Sequence, residues 1–565
     1  MVWKHFKCTV TKGEEKYLRI LLVEPAYKNK YPPMGLMKIS TYHRKKGDTV
    51  RFYKGCMEEK ELLIYKPDKV YITSLFTFYY KKVTETLDYY RKYIKDDDIF
   101  LGGIMVTILY DKLYQEVKQN NLLKGLLEDS YVLGYGDHIN IDQLPLDYDI
   151  LDQIAYDYPA SGNYFAYTTR GCPNHCSFCA VPILEPEFHV TNNIYNQIKD
   201  VNRRYGEKRN LLLLDNNVFN LNETELQQVV DDMKKAGFTK DPTFIKEDPF
   251  ELFIRKSEIP FLHDRIVKDA VNYLKGVKVK REKGKEYEYL LELLESSADK
   301  KYFLRSHQNW IRKYISNHSK ARKLKRYVDF NQGLEAARLT PAKMKILSQL
   351  PLRPVRIAFD HYNQRAVENY KRAVGIAASF GIKEFSNYML YNFNDKPEDL
   401  WYRIKINIEL SQQLGINMFS FPMKYMPITE TDRKYIGKYW NRKYLQSIPA
   451  ILIITKGVVA DGPEFFNRAF GRTVDEFFEI LAMPKDFIIY RKYFEDKGLT
   501  QIWKSYYDRL SDEDKRLLIK ILSGKTQEYD HGKFENILEL YGHDYRYIYL
   551  KEQGSVKTFP NGKMD

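Results

Sequence analysis

Three cysteines in one short stretch constrain this chain more than any other feature. Cys172, Cys176 and Cys179 stand as C-x3-C-x2-C in Thr169-Arg-Gly-Cys-Pro-Asn-His-Cys-Ser-Phe-Cys-Ala180. Thiolates so close in sequence can hold three irons of one cubane cluster. A full protein set for a 4Fe-4S cluster is four cysteines, so one iron would stay open. An open metal position belongs to catalytic rather than structural sites. Gly171 and Pro173 suit a loop that turns sharply around a bulky inorganic core. The other reading is a zinc knuckle with His175 or His189 as fourth ligand. Zinc sites, however, usually come as two separated Cys/His pairs, and the sequence has no second pair.

At 565 residues the chain is too long for one core, and two to four domains are expected. No apolar run approaches the roughly 18 residues that span a bilayer, so no membrane partner is expected. The longest, Ala450-Ile-Leu-Ile-Ile454, reads as a buried strand or helix. The first residues, Met1-Val-Trp-Lys-His-Phe-Lys-Cys8, carry no apolar stretch of the signal-peptide kind. Five cysteines in so long a chain point away from a disulfide scaffold and toward a reducing, cytoplasmic, low-oxygen setting. Beyond the motif only Cys8 and Cys56 remain, too few for a second cluster. They read as ordinary small residues. The net charge of +15 favours anionic partners, nucleic acid or another polyanion, although Lys- and Tyr-rich usage also suits an AT-rich genome.

Along residues 1–150 strands alternate with helices. Tyr17-Leu-Arg-Ile-Leu-Leu-Val23 is a continuous apolar run, as in a strand buried on both faces. A helix opens at Tyr31-Pro-Pro-Met-Gly-Leu36 and closes at Lys46-Gly47. Asp48–Tyr53, Val70–Ser74, Asp98–Gly103 and Ser130–Gly136 read as further strands, with a helix over about 82–95. The pattern predicts a doubly wound parallel sheet, whose ligands bind beyond the carboxyl ends of the strands. Gly35, Gly102, Gly103, Gly134 and Gly136 fall near those ends. Gln143–Asp149 reads as a linker. Six strands ending in polar residues follow: Tyr164–Thr169, Asn210–Asn217, Tyr327–Gly333, Pro354–His361, Phe385–Asn394 and Asn417–Tyr425. A helix is expected over 194–205.

The cysteine motif, with Phe178 before its last cysteine, closely resembles the signature of the radical S-adenosylmethionine (SAM) enzymes. The resemblance covers roughly 17–430. It implies a partial (β/α)6 barrel with the cluster loop at the carboxyl end of its first strand, where such barrels keep their chemistry. It also implies that the open iron chelates SAM and that the reduced cluster breaks the sulfonium into methionine and a 5′-deoxyadenosyl radical. Cys172, Cys176 and Cys179 would bind iron, and Phe178 would pack beside the adenine. Asp215, Asn216 and Asn217 are implied for the amino group of SAM, and Asn331, Arg356 and Asp360 for ribose and carboxylate. Arg suits a carboxylate because its fork is bidentate. A one-electron donor of the flavodoxin or ferredoxin type is the implied partner. Each polar tip can equally be a helix cap. Tyr391-Asn-Phe-Asn-Asp-Lys-Pro-Glu-Asp399 stands where many members have a Gly-Leu-Pro-Gly-Glu-Thr-like turn, and departs from it.

The phrase Leu21-Leu-Val-Glu-Pro25, with Tyr31–Leu36 and Leu101-Gly-Gly103, resembles the cobalamin-binding-type domain that precedes many radical SAM cores. Gly35, Gly102 and Gly103 are the cofactor-side candidates there. The D-x-H-x-x-G motif is absent and neither His43 nor His138 fits its role, so the resemblance implies the fold and leaves cobalamin open. Methylthiotransferases place three cluster cysteines in their leading domain, and this chain has none to place.

Between the second and third core strands a charged, mostly helical insertion is expected over about 240–326. Its last part, Lys301–Arg326, has nine Lys/Arg and no acid. With Phe303, Trp310, Ile311, Tyr314, Ile315 and Ala321 at helical spacing, it reads as an amphipathic basic helix: a solvated face over a small core, or a clamp for a phosphate backbone on which Trp310 and Tyr314 could stack bases. Residues 431–565 read as helices, with capping boxes at Thr473–Glu476 and Ser511–Asp514, capping the barrel mouth against water. Two function classes follow. One is a radical SAM enzyme of unidentified substrate, a cobalamin-dependent methylating enzyme if that cofactor binds. The other is a nucleic-acid-binding or nucleic-acid-modifying protein with a structural cluster.

Overall fold

The computed structural model describes residues 17–191, 194–279, 284–315 and 323–553. Two compact units emerge. One takes in residues up to Asn216 with Gln228–Val328 and Ile428–Asp432; the other takes in Asn217–Gln227, Asp329–Pro427 and Arg433 onward.

In the first unit β1 (Arg19–Glu24), β2 (Thr49–Lys54), β3 (Lys69–Ser74), β4 (Ile99–Gly103) and β5 (Leu122–Leu123) form a parallel sheet in the order β2-β1-β3-β4-β5. Ile20, Leu21, Leu22 and Val23 are wholly buried, which is why this strand reads as an unbroken apolar run rather than an alternation. The helices α1 (Met34–Lys45), α2 (Glu59–Tyr65), α3 (Tyr80–Arg91), α4 (Ile104–Ile108) and α5 (Tyr110–Val117) lie between the strands. Strand order reverses between β1 and β3, and that switch point is where an open sheet of this kind forms a crevice.

The expected fifth strand at Ser130–Gly136 is instead a 3-10 turn over Ser130–Leu133, and β5 supplies the edge. The Asp129 carboxylate accepts from Tyr131 N–H, and Gly134 takes a left-handed φ of 81°. These local bonds outcompete a ladder. The expected linker is packed rather than loose. Asp147 and Tyr148 are buried, and the Gln153 side chain accepts from Phe52 N–H (2.7 Å) and donates to the Val50 carbonyl (3.4 Å). A side-chain amide thus satisfies the free edge of β2.

After it come β6 (Asn163–Ala166), β7 (Thr169–Arg170), β8 (His189–Val190) and β9 (Asn210–Leu213), with α6 (Val181–Leu184) and α7 (Ile194–Tyr205). β6 and β9 pair in parallel. β10 (Phe244–Ile245) and β11 (Lys323–Leu324) form an antiparallel pair. The helices that follow β10, from Pro249 to Ile315, enclose a core of their own that includes Phe250, Phe253, Leu274, Leu290, Leu304 and Ile311.

The basic stretch 301–326 is not one helix. Helices end at Ser306 and Ile315, and β11 follows; Lys320, Ala321 and Arg322 lie outside the described residues. Tyr314 is buried in the segment's own core, against which Trp310 packs. Arg326 is only 2% exposed, paired with Glu207 (2.7 Å) and donating to the Lys208 carbonyl.

β12 (Val328–Phe330) runs from Val328 of the first unit into the second, where β13 (Val355–Arg356), β14 (Glu384–Tyr391) and β15 (Asn417–Lys424) form a parallel sheet. Leu334 and Ile357 add a parallel bridge just beyond β12 and β13. From Arg442 on the described chain is helical, and Thr473 and Ser511 cap their helices as expected. The apolar run at Ala450 is only partly buried: its helix ends at Leu452 and leaves Ile453 and Ile454 exposed.

His43, on the inner face of α1, is fully buried between Asp48 (2.7 Å) and the Tyr71 hydroxyl (3.0 Å). Burial pulls its imidazole below the ordinary value, against Asp48. Burial pushes Asp48 up, but His43 and the Leu18 N–H outweigh it and hold the carboxyl low. A histidine kept neutral contributes stability that is full above its unfolded value, about 6.5, and fades as pH falls below it. A depressed carboxyl contributes stability that is full above about 3.9 and is lost as pH falls through its folded value. Both effects make acid destabilising. The unfolding temperature should decline as pH drops from about 7 to 5, and His43→Gln should flatten that decline. Asp48→Ala should cost about 2 kcal/mol at neutral pH, measured by urea unfolding.

Candidate functional site

β6 stops at Ala166, and the chain beyond it is bent onto the tip of β9. The N–H groups and hydroxyls of both Thr168 and Thr169 donate to one oxygen of Asp215, Oδ1. Asp215 is 4% exposed, and its second oxygen, Oδ2, is buried with no hydrogen-bond partner among the described residues. Burial pushes this carboxyl up, against the four donors. A buried polar atom left without a partner is costly and rare. An incoming cationic N–H donor at Oδ2 would remove that cost and favour the ionised form.

The cysteine loop starts directly after Arg170, and both its ends are tied. β7 pairs antiparallel with β8, Thr169 opposite Val190 and Arg170 opposite His189. Gly171 has φ 70°, and a Cβ there would lie 2.1 Å from the Glu187 carbonyl oxygen, so only glycine closes this crossing. Glu185 accepts from Gly171 N–H (2.9 Å), from Arg170 Nε (3.1 Å) and from Asn216 Nδ2 (3.0 Å), with Arg170 Nη2 2.9 Å from its other oxygen.

Within the loop the Cys179 N–H donates to the Cys176 carbonyl, while Asn174 N–H and Val181 N–H donate to the sulfurs of Cys172 and Cys179, each at 3.5 Å. Cys176 is exposed, Cys172, Cys179 and Phe178 are half-buried, and none of the three cysteines is in a disulfide. Among the described residues no three His, Cys, Asp or Glu side chains are gathered closely enough to hold a single metal ion. A cubane differs in kind, since each thiolate serves its own iron. His175 is exposed, and His189 is exposed in β8. Three thiols on a loop pinned at both ends, N–H donors on two sulfurs, and an unclaimed carboxylate oxygen at the neighbouring strand tip fit a three-thiolate cluster carrying an amine-bearing ligand.

The other expected residues are divided. Asn216 belongs to the first unit, through Glu185. Asn217, Asn331, Arg356 and Asp360 belong to the second. There Asn217 Nδ2 donates to Glu335 (2.6 Å). Asn331 is buried just past β12. The fork of Arg356 lies on Asp329, at 2.8 Å for both bonds, and its third nitrogen donates to Ser386. Asp360 follows β13, its carboxyl pushed up by burial against His361 and Arg403.

At the carboxyl edge of the first sheet Gly35 is exposed in the first turn of α1 with open space beside it. Gly102 and Gly103 are closely packed. A Cβ on Gly103, whose φ is 104°, would meet the Ser74 carbonyl oxygen at 2.3 Å, and one on Gly102 would press on Leu123. Over the switch point Tyr27 and Tyr79 stack at 4.6 Å, with Phe76 exposed beside Tyr79. α4, which starts directly after Gly103, packs against α6, which follows Cys179.

Sequence reasoning missed Thr168, Thr169, Arg170 and Glu185, and with them Asp142 and Lys38. Arg170 also faces Asp142 (3.6 Å), which binds Lys38 of α1 (2.7 Å), and Arg170 lies over the Tyr167 ring at 4.1 Å. Burial pushes Asp142 up, but Lys38 and Arg170 outweigh it and hold the carboxyl low. The one signal available was an acid, Glu185, directly after the apolar run Val181–Leu184. Gly171→Ala should break the crossing and free the loop. Limited digestion with a Glu-specific protease should then cut after Glu185 and Glu187 several-fold faster than in the parent chain, with no change at remote sites.

No protein-family model matches this chain, and no curated protein matches it. Among solved structures it is similar to a radical S-adenosylmethionine methyltransferase, TsrM, from Kitasatospora setae, solved with cobalamin and a 4Fe-4S cluster bound. The identity is 13%, the TM-score 0.39, and the match covers 73% of this chain and 77% of that one.

Proposed function

We propose that this chain is a radical SAM enzyme. The observation that carries the reading is the three-thiol loop tied at both ends beside a buried carboxylate with one oxygen unclaimed. Cys172, Cys176 and Cys179 would hold three irons of a 4Fe-4S cluster. Bound and reduced, that cluster supplies one-electron cleavage of the SAM sulfonium. The N–H groups of Asn174 and Val181 donate to two of the sulfurs, and such bonds tune a cluster's potential. Asp215 Oδ2 accepts from the amino group of SAM, and Thr168 and Thr169 hold that carboxylate in place. Phe178 covers the adenine. Asn217 is proposed for the amino group, and Asn331, Arg356 and Asp360 for ribose and carboxylate, on the resemblance alone, as is the partial barrel. A flavodoxin- or ferredoxin-type donor follows from the need for single electrons.

The doubly wound first sheet is of the kind that carries cobalamin, and methylation is the reaction it would serve; cobalt per chain after anaerobic purification decides it. The polyanion reading would rest on the basic segment, three of whose arginines already face acids. Arg305, Arg312 and Arg326 are engaged by Glu258, Glu251 and Glu207.

After anaerobic reconstitution, Cys→Ala at 172, 176 or 179 should abolish both the visible iron–sulfur absorbance and SAM cleavage under dithionite. Full iron and SAM cleavage in any one of these variants would overturn the assignment. Asp215→Asn should keep the cluster and raise the SAM concentration for half-saturation about tenfold or more, the scale of a lost charged hydrogen bond.

A further inference from the structure

We infer that Glu185 is the positioning residue of the cysteine loop. It fixes the loop's mouth to the tip of the second core strand and thereby sets where the thiols stand relative to Asp215. The inference rests on the cluster reading above.

Glu185 has 15% of its side chain exposed. Its carboxylate gathers donors from three places: the N–H of Gly171 at the start of the loop, the guanidinium of Arg170 just before it, and the Asn216 amide beside Asp215. Glu185 itself sits at the far end of the loop, at the carboxyl end of α6. One carboxylate therefore closes the loop on itself and joins it to the strand tip. Arg170 is 5% exposed in its side chain and buried charges need partners, so Glu185 also neutralises a buried guanidinium at the start of the loop. Arg170 is held from the other side by Asp142, and Asp142 by Lys38. The chain Lys38–Asp142–Arg170–Glu185–Asn216 thus alternates cation and anion from α1 of the first sheet to the tip of β9, ending on a neutral amide.

Groups that orient the residues holding a metal typically change its affinity by about 10- to 100-fold when removed. Glu185 touches no reacting atom, so its loss should show in the cluster before it shows in the fold.

The test uses the full chain, reconstituted anaerobically, as parent, Glu185→Ala, Glu185→Gln, Asn216→Ala and the remote control Glu251→Ala. Iron and sulfide per chain in the parent test the cluster reading by themselves: a parent without cluster sinks that reading and says nothing against the loop's closure. With the parent loaded, the readouts are the rate of iron loss to a ferrous chelator after dithionite reduction, and the change in the reduced cluster's electron paramagnetic resonance on adding SAM. Glu185→Ala should lose iron about tenfold faster or more and show a diminished SAM-induced change. Glu185→Gln, which keeps an acceptor for Arg170, should fall between it and the parent. Asn216→Ala should keep the parent rate of iron loss yet weaken the SAM response, since it cuts only the tie to the strand tip. Glu251→Ala should match the parent throughout. If Glu185→Ala does not fold, the Gln and Asn216 variants carry the test. Parent-like iron loss and SAM response in Glu185→Gln and Asn216→Ala, or in a folded Glu185→Ala, would overturn the inference.

Discussion

The buried carboxylate of Asp215 is the joint on which the arrangement turns. A loop that carries three thiols has a large conformational freedom to surrender, about 1–2 kcal/mol per residue for the backbone alone. The few hydrogen bonds inside a run of Cys, Pro, Asn and Ser offset only part of that cost. The rest of the offset comes from the ends. Thr168 and Thr169, beyond the end of β6, give four donors to Asp215 Oδ1, which fixes the direction in which the chain enters the loop. β7 and β8 then fix its exit. Because Asp215 sits on the neighbouring strand, the thiols and its second oxygen share one frame.

That frame is not confined to the core strands. Lys38 and Asp142 belong to the first α/β layer, yet they end on Arg170, and α4 packs on α6. The same compact unit therefore contains the doubly wound sheet, its switch point under the Tyr27–Tyr79 stack, and the cysteine loop. A cofactor at the carboxyl edge of that sheet would lie on the side of α4, next to the helix that follows the last cysteine. The packing gives the first layer a mechanical part in holding the loop, whether or not its crevice holds a cofactor.

Legibility in the sequence followed the range of the forces involved. Strands β1 to β4, the helix over 194–205 and the caps at Thr473 and Ser511 were readable because apolar run length, period and capping side chains are local. The strand expected at Ser130–Gly136 failed because Asp129 and Gly134 made a turn cheaper than an edge ladder. The basic stretch was read as one helix, whereas helices end at Ser306 and Ile315, and three of its arginines meet acids remote in sequence. Their acids, Glu207, Glu251 and Glu258, lie far along the chain and only folding brings them in. The close approach of Gly102 to Leu123 and of Gly103 to the Ser74 carbonyl was not legible, because it depends on strands paired only in the fold.

By itself the sequence determined the chemistry available: three thiols at cluster spacing, a glycine at the start of the loop that carries them, and an acid at the end of a buried strand. Those are properties of residue type and near-neighbour spacing. Tertiary structure alone decided the orientation of that chemistry. It chose which oxygen of Asp215 is consumed and which is left, put Glu185 under both ends of the loop, and turned Arg356 onto Asp329. Each of these depends on contacts between residues dozens of positions apart or on the turn that closes a loop. Neither composition nor periodicity encodes them, because the free energy that selects them arises only when burial removes water from all the partners together.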